Sequence, residues 1–280
     1  MNPLISAASL AALLQAPGPD PVLLDVRWSL GRSDGRELYA AGHIPGAVFV
    51  DLERELSSAP GPGTGRHPLP LPADFEAAAR RWGVNQDSQV VVYDDSGALA
   101  AARAWWLLRH AGFENAVVLD GGLEAYSSLP GTALATGEQT NAPGRVTLSW
   151  GRMPVIEFDQ LAGFSGTLID SRATARYLGI EEPIDPVAGH IPGARNRPTT
   201  DNLDSQARFL PAAVLRADFA KLGADTGDAA AYCGSGITAA HQVLAAHAAG
   251  IRLALYPGSW SEYCSHPEAP VATSDEQHRH

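Results

Sequence analysis

The chain has 280 residues and a formal net charge of −11, and its composition is 45% hydrophobic and 18% charged. These values describe one large globular domain or two of ordinary size. The acidic balance opposes nucleic acid or an anionic membrane as the main partner, and no apolar run nears the ~20 residues of a membrane span.

The opening segment "MNPLISAASLAALLQAPGPD" has no basic n-region and reads as a helix stopped by Pro-Gly-Pro, so the expected location is cytoplasmic. Four short runs rich in β-branched residues follow in the first half: "VLLDV", "AVFV", "QVVVY" and "AVVL". Each predicts a strand. Among them, helical spacing covers 71–83 ("LPADFEAAARRWG") and 98–112 ("ALAAARAWWLLRHAG"), each closed by a glycine. The stretch 129–145 is rich in Gly, Thr, Pro and Ala without apolar periodicity, and reads as a linker. Beyond it come strands "TLID", "AAAY" and "RLALY", with helices over 210–223 and 237–250. Strands alternating with helices predict an α/β fold of mostly parallel sheets flanked by helices.

The order also repeats. "LLDVR" at 23–27 returns as "LIDSR" at 168–172, and "AGHIPGA" at 41–47 returns unchanged at 188–194. "VVYDDSGALAAA" at 91–102 is answered by "AAYCGSGITAAH" at 230–241, and "LDGGLEAY" at 119–126 by "YPGSWSEY" at 256–263. Four matches in the same order indicate duplication. The expected organisation is a domain over 1–130, a linker over 131–150 and a second domain over 151–280.

In parallel sheets, sites gather beyond the carboxyl ends of strands, and Cys233 stands just past one. Glycines 234 and 236 let successive N–H groups turn toward one point, and a helix begins near Ile237. Its free N–H groups and positive dipole end would stabilise an anionic sulfur at the centre, with Ser235 and Thr238 as further hydroxyl donors. The cradle contains no general base and no room for a metal. It suits a persulfide. A cysteine buried at a tight turn is the plain alternative; the strand–loop–helix setting and the duplicate favour a nucleophile. The first half carries Asp94 at the same place, which cannot do thiol chemistry, so that domain is read as catalytically silent.

With the repeat, the two "HIPGA" segments and "YCGSGITAAH" together, the chain resembles the tandem-domain rhodanese sulfurtransferases over nearly its whole length. The resemblance implies two rhodanese-like domains, of which the second is catalytic. The neutral loop Cys233-Gly234-Ser235-Gly236-Ile237-Thr238-Ala239 is similar to the 3-mercaptopyruvate branch, whereas thiosulfate enzymes typically carry Arg and Lys after the cysteine. The resemblance further implies that Arg176 takes the substrate carboxylate, as a planar guanidinium suits. It also implies that Ser235 handles protons with a histidine and an aspartate of the silent domain, which by motif fall on His43 and Asp34. One departure stands out: the branch usually has a second arginine shortly before the second "GHIPG", and "EEPIDPVAGH" has none.

Other residues read as structural. His190 fixes a turn, Asp25/Arg27 and Asp170/Arg172 are ion pairs at strand ends, Trp28 and Trp260 pack, Cys264 is idle and the tail "TSDEQHRH" is solvated. Cys233 and Cys264 are too few for a disulfide framework and show no zinc spacing. Neither glycine pattern, "VVLDGG" or "GSGITA", makes a nucleotide fingerprint, so no cofactor or metal is expected. The expected activity is transfer of sulfur from 3-mercaptopyruvate through a Cys233 persulfide to cyanide, a thiol or thioredoxin. The rivals are thiosulfate:cyanide transfer and a non-enzymatic persulfide carrier. A phosphatase needs arginine about six residues after its cysteine, and position 239 is alanine.

Overall fold

The computed structural model describes residues 2–273, so the tail expectation beyond Thr273 lies outside the described residues. Their contacts divide them into two units that are not contiguous in sequence. Within the described residues, the first comprises 2–58, 70–153 and 205–209; the second comprises 59–69, 154–204 and 210–273.

In the first unit the elements run β1 (Leu4–Ser6), α1 (Ala7–Gln15), β2 (Val22–Asp25), α2 (Gly35–Ala41), β3 (Ala47–Phe49), α3 (Leu52–Glu55), α4 (Pro72–Arg81), β4 (Val90–Tyr93), α5 (Ala101–His110), β5 (Ala116–Asp120) and α6 (Gly122–Ser127). All strand pairs are parallel, in the order β1-β5-β4-β2-β3. The central strands β2 and β4 are buried along their whole length. That is why they read as continuous apolar runs rather than as alternating ones.

The second unit runs α7 (Phe158–Leu161), β6 (Thr167–Asp170), α8 (Thr174–Tyr177), β7 (Arg195–Asn196), α9 (Ala212–Lys221), β8 (Ala229–Tyr232), α10 (Ile237–Ala248), β9 (Ala254–Leu255) and α11 (Ser259–Tyr263). Its sheet is again parallel, in the order β7-β6-β8-β9. This is the first unit's order without its outer strand, whose place is marked by one parallel bridge, Val155 to Leu255. Registers repeat too: Asp25 pairs with Tyr93, and Asp170 with Tyr232.

The four long helices lie where apolar spacing predicts them, and the glycines that close them, 83, 112, 223 and 250, all have positive φ. Two strands are not foreseen. Leu4–Ser6 falls inside the segment read as helix; it is an edge strand beside β5, and Ser6 then caps α1 by accepting the Ser9 N–H. Arg195–Asn196 is two polar residues long and carries no pattern at all.

The stretch 131–150, read as a linker, holds no helix or strand yet is tied to the first unit. Ala135 bridges to His43, Gly144 N–H donates to the Arg80 carbonyl, and buried Val146 donates to the Val84 carbonyl. No helix among the described residues is long and apolar enough to cross a membrane.

Candidate active site

The carboxyl ends of β4 and β8 lead into equivalent loops, and what each loop holds follows from one residue. In the first unit Asp94 is fully buried and accepts four backbone N–H groups. Ser96 and Ala98 donate to Oδ1 at 3.0 and 2.8 Å; Ala100 and Ala101 donate to Oδ2 at 2.9 and 3.0 Å. Burial pushes the Asp94 carboxyl up while these four donors oppose that shift. The loop is therefore a cradle for a small anion, and Asp94 fills it with its own side chain.

In the second unit Cys233 takes that position. It is 2% exposed, and its Sγ receives the Gly236 N–H at 3.2 Å. Ser259 Oγ accepts the Cys233 N–H at 3.1 Å; its own proton goes to the Tyr256 carbonyl at 2.9 Å rather than to Sγ at 4.0 Å. Gly236 caps α10 with φ 78°, and a Cβ there would collide with the Pro257 carbonyl oxygen. Glycine is required twice over. Ile237 and Ala239 are buried and Thr238 half-buried, so the first turn of α10 presents backbone rather than bulk to the loop.

Ser235 Oγ lies 2.7 Å from the Nδ1 of His67, and both side chains are buried. This corrects the assignment of His43. The His43 ring is held in its own unit by the Tyr39 carbonyl at 3.0 Å from Nδ1, and stacks on Tyr39 at 4.1 Å. His190 repeats that arrangement with Tyr177, at 2.7 Å and 3.7 Å. Identical "GHIPGA" sequences thus make identical turns. Asp34 is corrected as well: it is half-exposed and paired with Arg32, whose guanidinium holds its carboxyl below the usual carboxylate range. His67 stands in "GRHPLP", part of the Pro/Gly-rich segment 59–69 that belongs to the second unit. A histidine in an aperiodic loop, where no core position explains it, is the signal that points to it.

Arg176, at the end of α8, lies beside the loop that holds Cys233. A Cβ placed on Gly234 would lie 3.5 Å from its Nη1. Its other nitrogens are bound to carboxylates: Nε and Nη2 to Glu182 at 3.1 and 2.7 Å, and Nη2 also to Asp185 at 3.1 Å. Burial pushes the Glu182 carboxyl up, but the Arg176 guanidinium and the Asp185 and Ile184 N–H groups outweigh it and leave the group below its usual range. Glu182 also reaches Arg172 at 3.3 Å, and Arg172 forks onto Asp170. The strand-end pairs are structural, as expected. Asp25–Arg27 ties the Leu38 and Gly42 carbonyls, and Asp170–Arg172 ties that of Gly189.

Trp260 is buried, donates to the Val187 carbonyl and packs against the Arg172 guanidinium. Trp28 donates to Glu53. Burial pushes the Cys264 thiol up, which leaves it poorly suited to act as a nucleophile.

The sequence matches the rhodanese-like domain family twice, over residues 6–129 and 156–266. It is 47% identical over 282 residues to a probable 3-mercaptopyruvate sulfurtransferase of Pseudomonas aeruginosa, covering 97% of this chain and 98% of that one. It is 46% identical over 275 residues to a putative thiosulfate sulfurtransferase of Mycobacterium tuberculosis, covering 96% of each. Among solved structures, the 3-mercaptopyruvate sulfotransferase SseA of Escherichia coli superposes with a TM-score of 0.78 at 32% identity, covering 93% of this chain and 100% of that chain.

Proposed function

The chain belongs to the rhodanese-like family of sulfurtransferases, and from that membership we propose that it takes sulfur from 3-mercaptopyruvate onto Cys233 and passes it to a thiol or cyanide acceptor. The observation that carries this reading is a buried cysteine sulfur receiving the Gly236 N–H, with the Arg176 guanidinium over the adjacent Gly234.

In the first half-reaction the Cys233 thiolate attacks the donor sulfur. An S–S bond forms, the donor C–S bond breaks, and the electron pair leaves as the enolate of pyruvate. The proton of the donor thiol, now on the outer persulfide sulfur, is transferred to the enolate carbon; Ser235 and His67 are the pair placed to relay it. This yields pyruvate and an anionic Cys–S–S⁻ within reach of the loop N–H groups of residues 234–239. Arg176 orients the donor through its carboxylate. In the second half-reaction the acceptor attacks the outer sulfur and the Cys233 thiolate leaves.

The acceptor in the cell is a thiol, with thioredoxin the leading candidate. A cytoplasmic location agrees with two cysteines that are both unpaired. Catalysis rests on the second unit alone, because Asp94 occupies the first unit's cradle.

Thiosulfate as donor is the second reading, favoured by the name of the Mycobacterium tuberculosis relative. Steady-state kcat/KM for the two donors with cyanide as common acceptor separates them. The expected result is a preference of about tenfold or more for 3-mercaptopyruvate; a preference for thiosulfate overturns the donor assignment.

A further inference from the structure

The segment preceding the second "GHIPG" offers no arginine to accompany Arg176, yet a second guanidinium stands at the site. Arg66, next to His67, places its Nη2 within 3.0 Å of where a Cβ on Gly234 would lie, and Arg176 places its Nη1 within 3.5 Å of the same point. The two guanidiniums are held side by side by one carboxylate: Asp185 pairs through Oδ1 with Arg66 Nη1 and through Oδ2 with Arg176 Nη2.

They terminate a ladder of alternating charge that starts on β6: Asp170, Arg172, Glu182, Arg176, Asp185, Arg66. Every inner member has an opposite charge on both sides. Among the described residues, the Arg66 guanidinium pairs with Asp185 alone, and its Nε carries no hydrogen bond. Of the donors left over in the pair, Arg66 Nη2 and Arg176 Nη1 face Gly234.

The position of Arg66 is built rather than incidental. Its backbone N–H donates to Ser261 Oγ at 3.0 Å, and a Cβ on Gly65 would collide with the Gly258 carbonyl oxygen, so the loop lies directly against the start of α11. Asp185, the residue that aims Arg66, has a side chain only 3% exposed, whereas that of Arg66 is 29% exposed. The anchor is buried, and the guanidinium it holds is partly exposed.

We propose that Arg66 is the second guanidinium of the donor site. It takes the place of the absent arginine and, with Arg176, grips the carboxylate of a 2-keto-3-thio acid over Gly234. This rests on the reading of 3-mercaptopyruvate as donor. Asp185 already shows the geometry: a carboxylate spanning two guanidiniums through one oxygen each, which the donor carboxylate repeats on the opposite edge. Uniform binding of this kind is read in KM rather than in kcat.

The test measures KM and kcat for 3-mercaptopyruvate in the wild type, Arg66→Ala, Arg66→Gln and Arg176→Ala. In parallel it follows loading of Cys233 by inorganic polysulfide, which has no carboxylate. The proposal expects the Arg66 variants to raise KM about tenfold or more and still to load to completion from polysulfide. Unchanged KM in Arg66→Ala overturns it, and Arg66→Gln decides by the same criterion if the alanine variant does not fold. A loss of polysulfide loading in both Arg66 variants also overturns it, because it would show a role in the fold or at the sulfur. Wild-type protein that loads from polysulfide but not from 3-mercaptopyruvate refutes the donor reading itself, a separate outcome from unchanged KM in a wild type that turns over.

Discussion

Ser235 and His67 form a hydroxyl–imidazole pair at the loop, 2.7 Å apart and shielded from water. Such a pair can pass a proton between the persulfide and the enolate, and it has no task once the persulfide is formed. Replacing His67 with alanine is therefore expected to slow persulfide formation from 3-mercaptopyruvate by about a hundredfold or more. Removal of sulfur by cyanide should stay at the wild-type rate. Single-turnover kinetics separates the two steps; equal slowing of both would mean that His67 only supports the loop. At this scale the sequence was readable where a residue's role is local. Cys233 and Arg176 could be placed because a strand–loop–helix pattern and a motif surround each of them. His67 could not, because segment 59–69 reaches the second unit through tertiary contacts that no periodicity encodes. His43 misled for the converse reason: a motif shared by both halves points to a shared turn, and its twin His190 stacks on tyrosine in the same way.

The element that makes the site is the junction of β8 and α10, and its two glycines act differently. Gly236 has φ 78° and lies against the Pro257 carbonyl, so a side chain there meets both backbone strain and a collision. Gly236→Ala is expected to lower stability by at least about 2 kcal/mol, seen as a lower denaturant midpoint. Gly234 has ordinary φ, and its neighbours are the ends of two guanidiniums at 3.0 and 3.5 Å. Gly234→Ala should leave the midpoint nearly unchanged and raise KM for the donor instead. A large stability loss in Gly234→Ala, or none in Gly236→Ala, would contradict this division. Elements of ten or more residues were legible because apolar spacing and a closing glycine mark them. The three-residue β1 and two-residue β7 were not, since pairing with a neighbour and not their own composition makes them strands.

For the whole molecule, duplication is the main physical fact. Two sheets of the same order end in two cradles of the same kind, one filled by a carboxylate with four N–H donors and one holding a cysteine sulfur. A chain with net charge −11 does not attract an anionic donor from a distance. Positive potential has to be made locally, by loop N–H groups and by arginines that a buried ladder of carboxylates holds in place. Duplication, and Asp94 at the place of Cys233, were readable by comparing the chain with itself. The ladder was not, because Arg66 and Asp185 lie far apart in sequence and meet only in the folded second unit.

A duplicated chain built this way carries sulfur at a single centre. Intact-mass measurement after treatment with 3-mercaptopyruvate and removal of excess donor tests it directly. The expected result is one added sulfur atom, about 32 Da, mapped by peptide analysis to Cys233, released by cyanide and absent from Cys233→Ser. An adduct on Cys264, or sulfur transfer retained in Cys233→Ser, would contradict it.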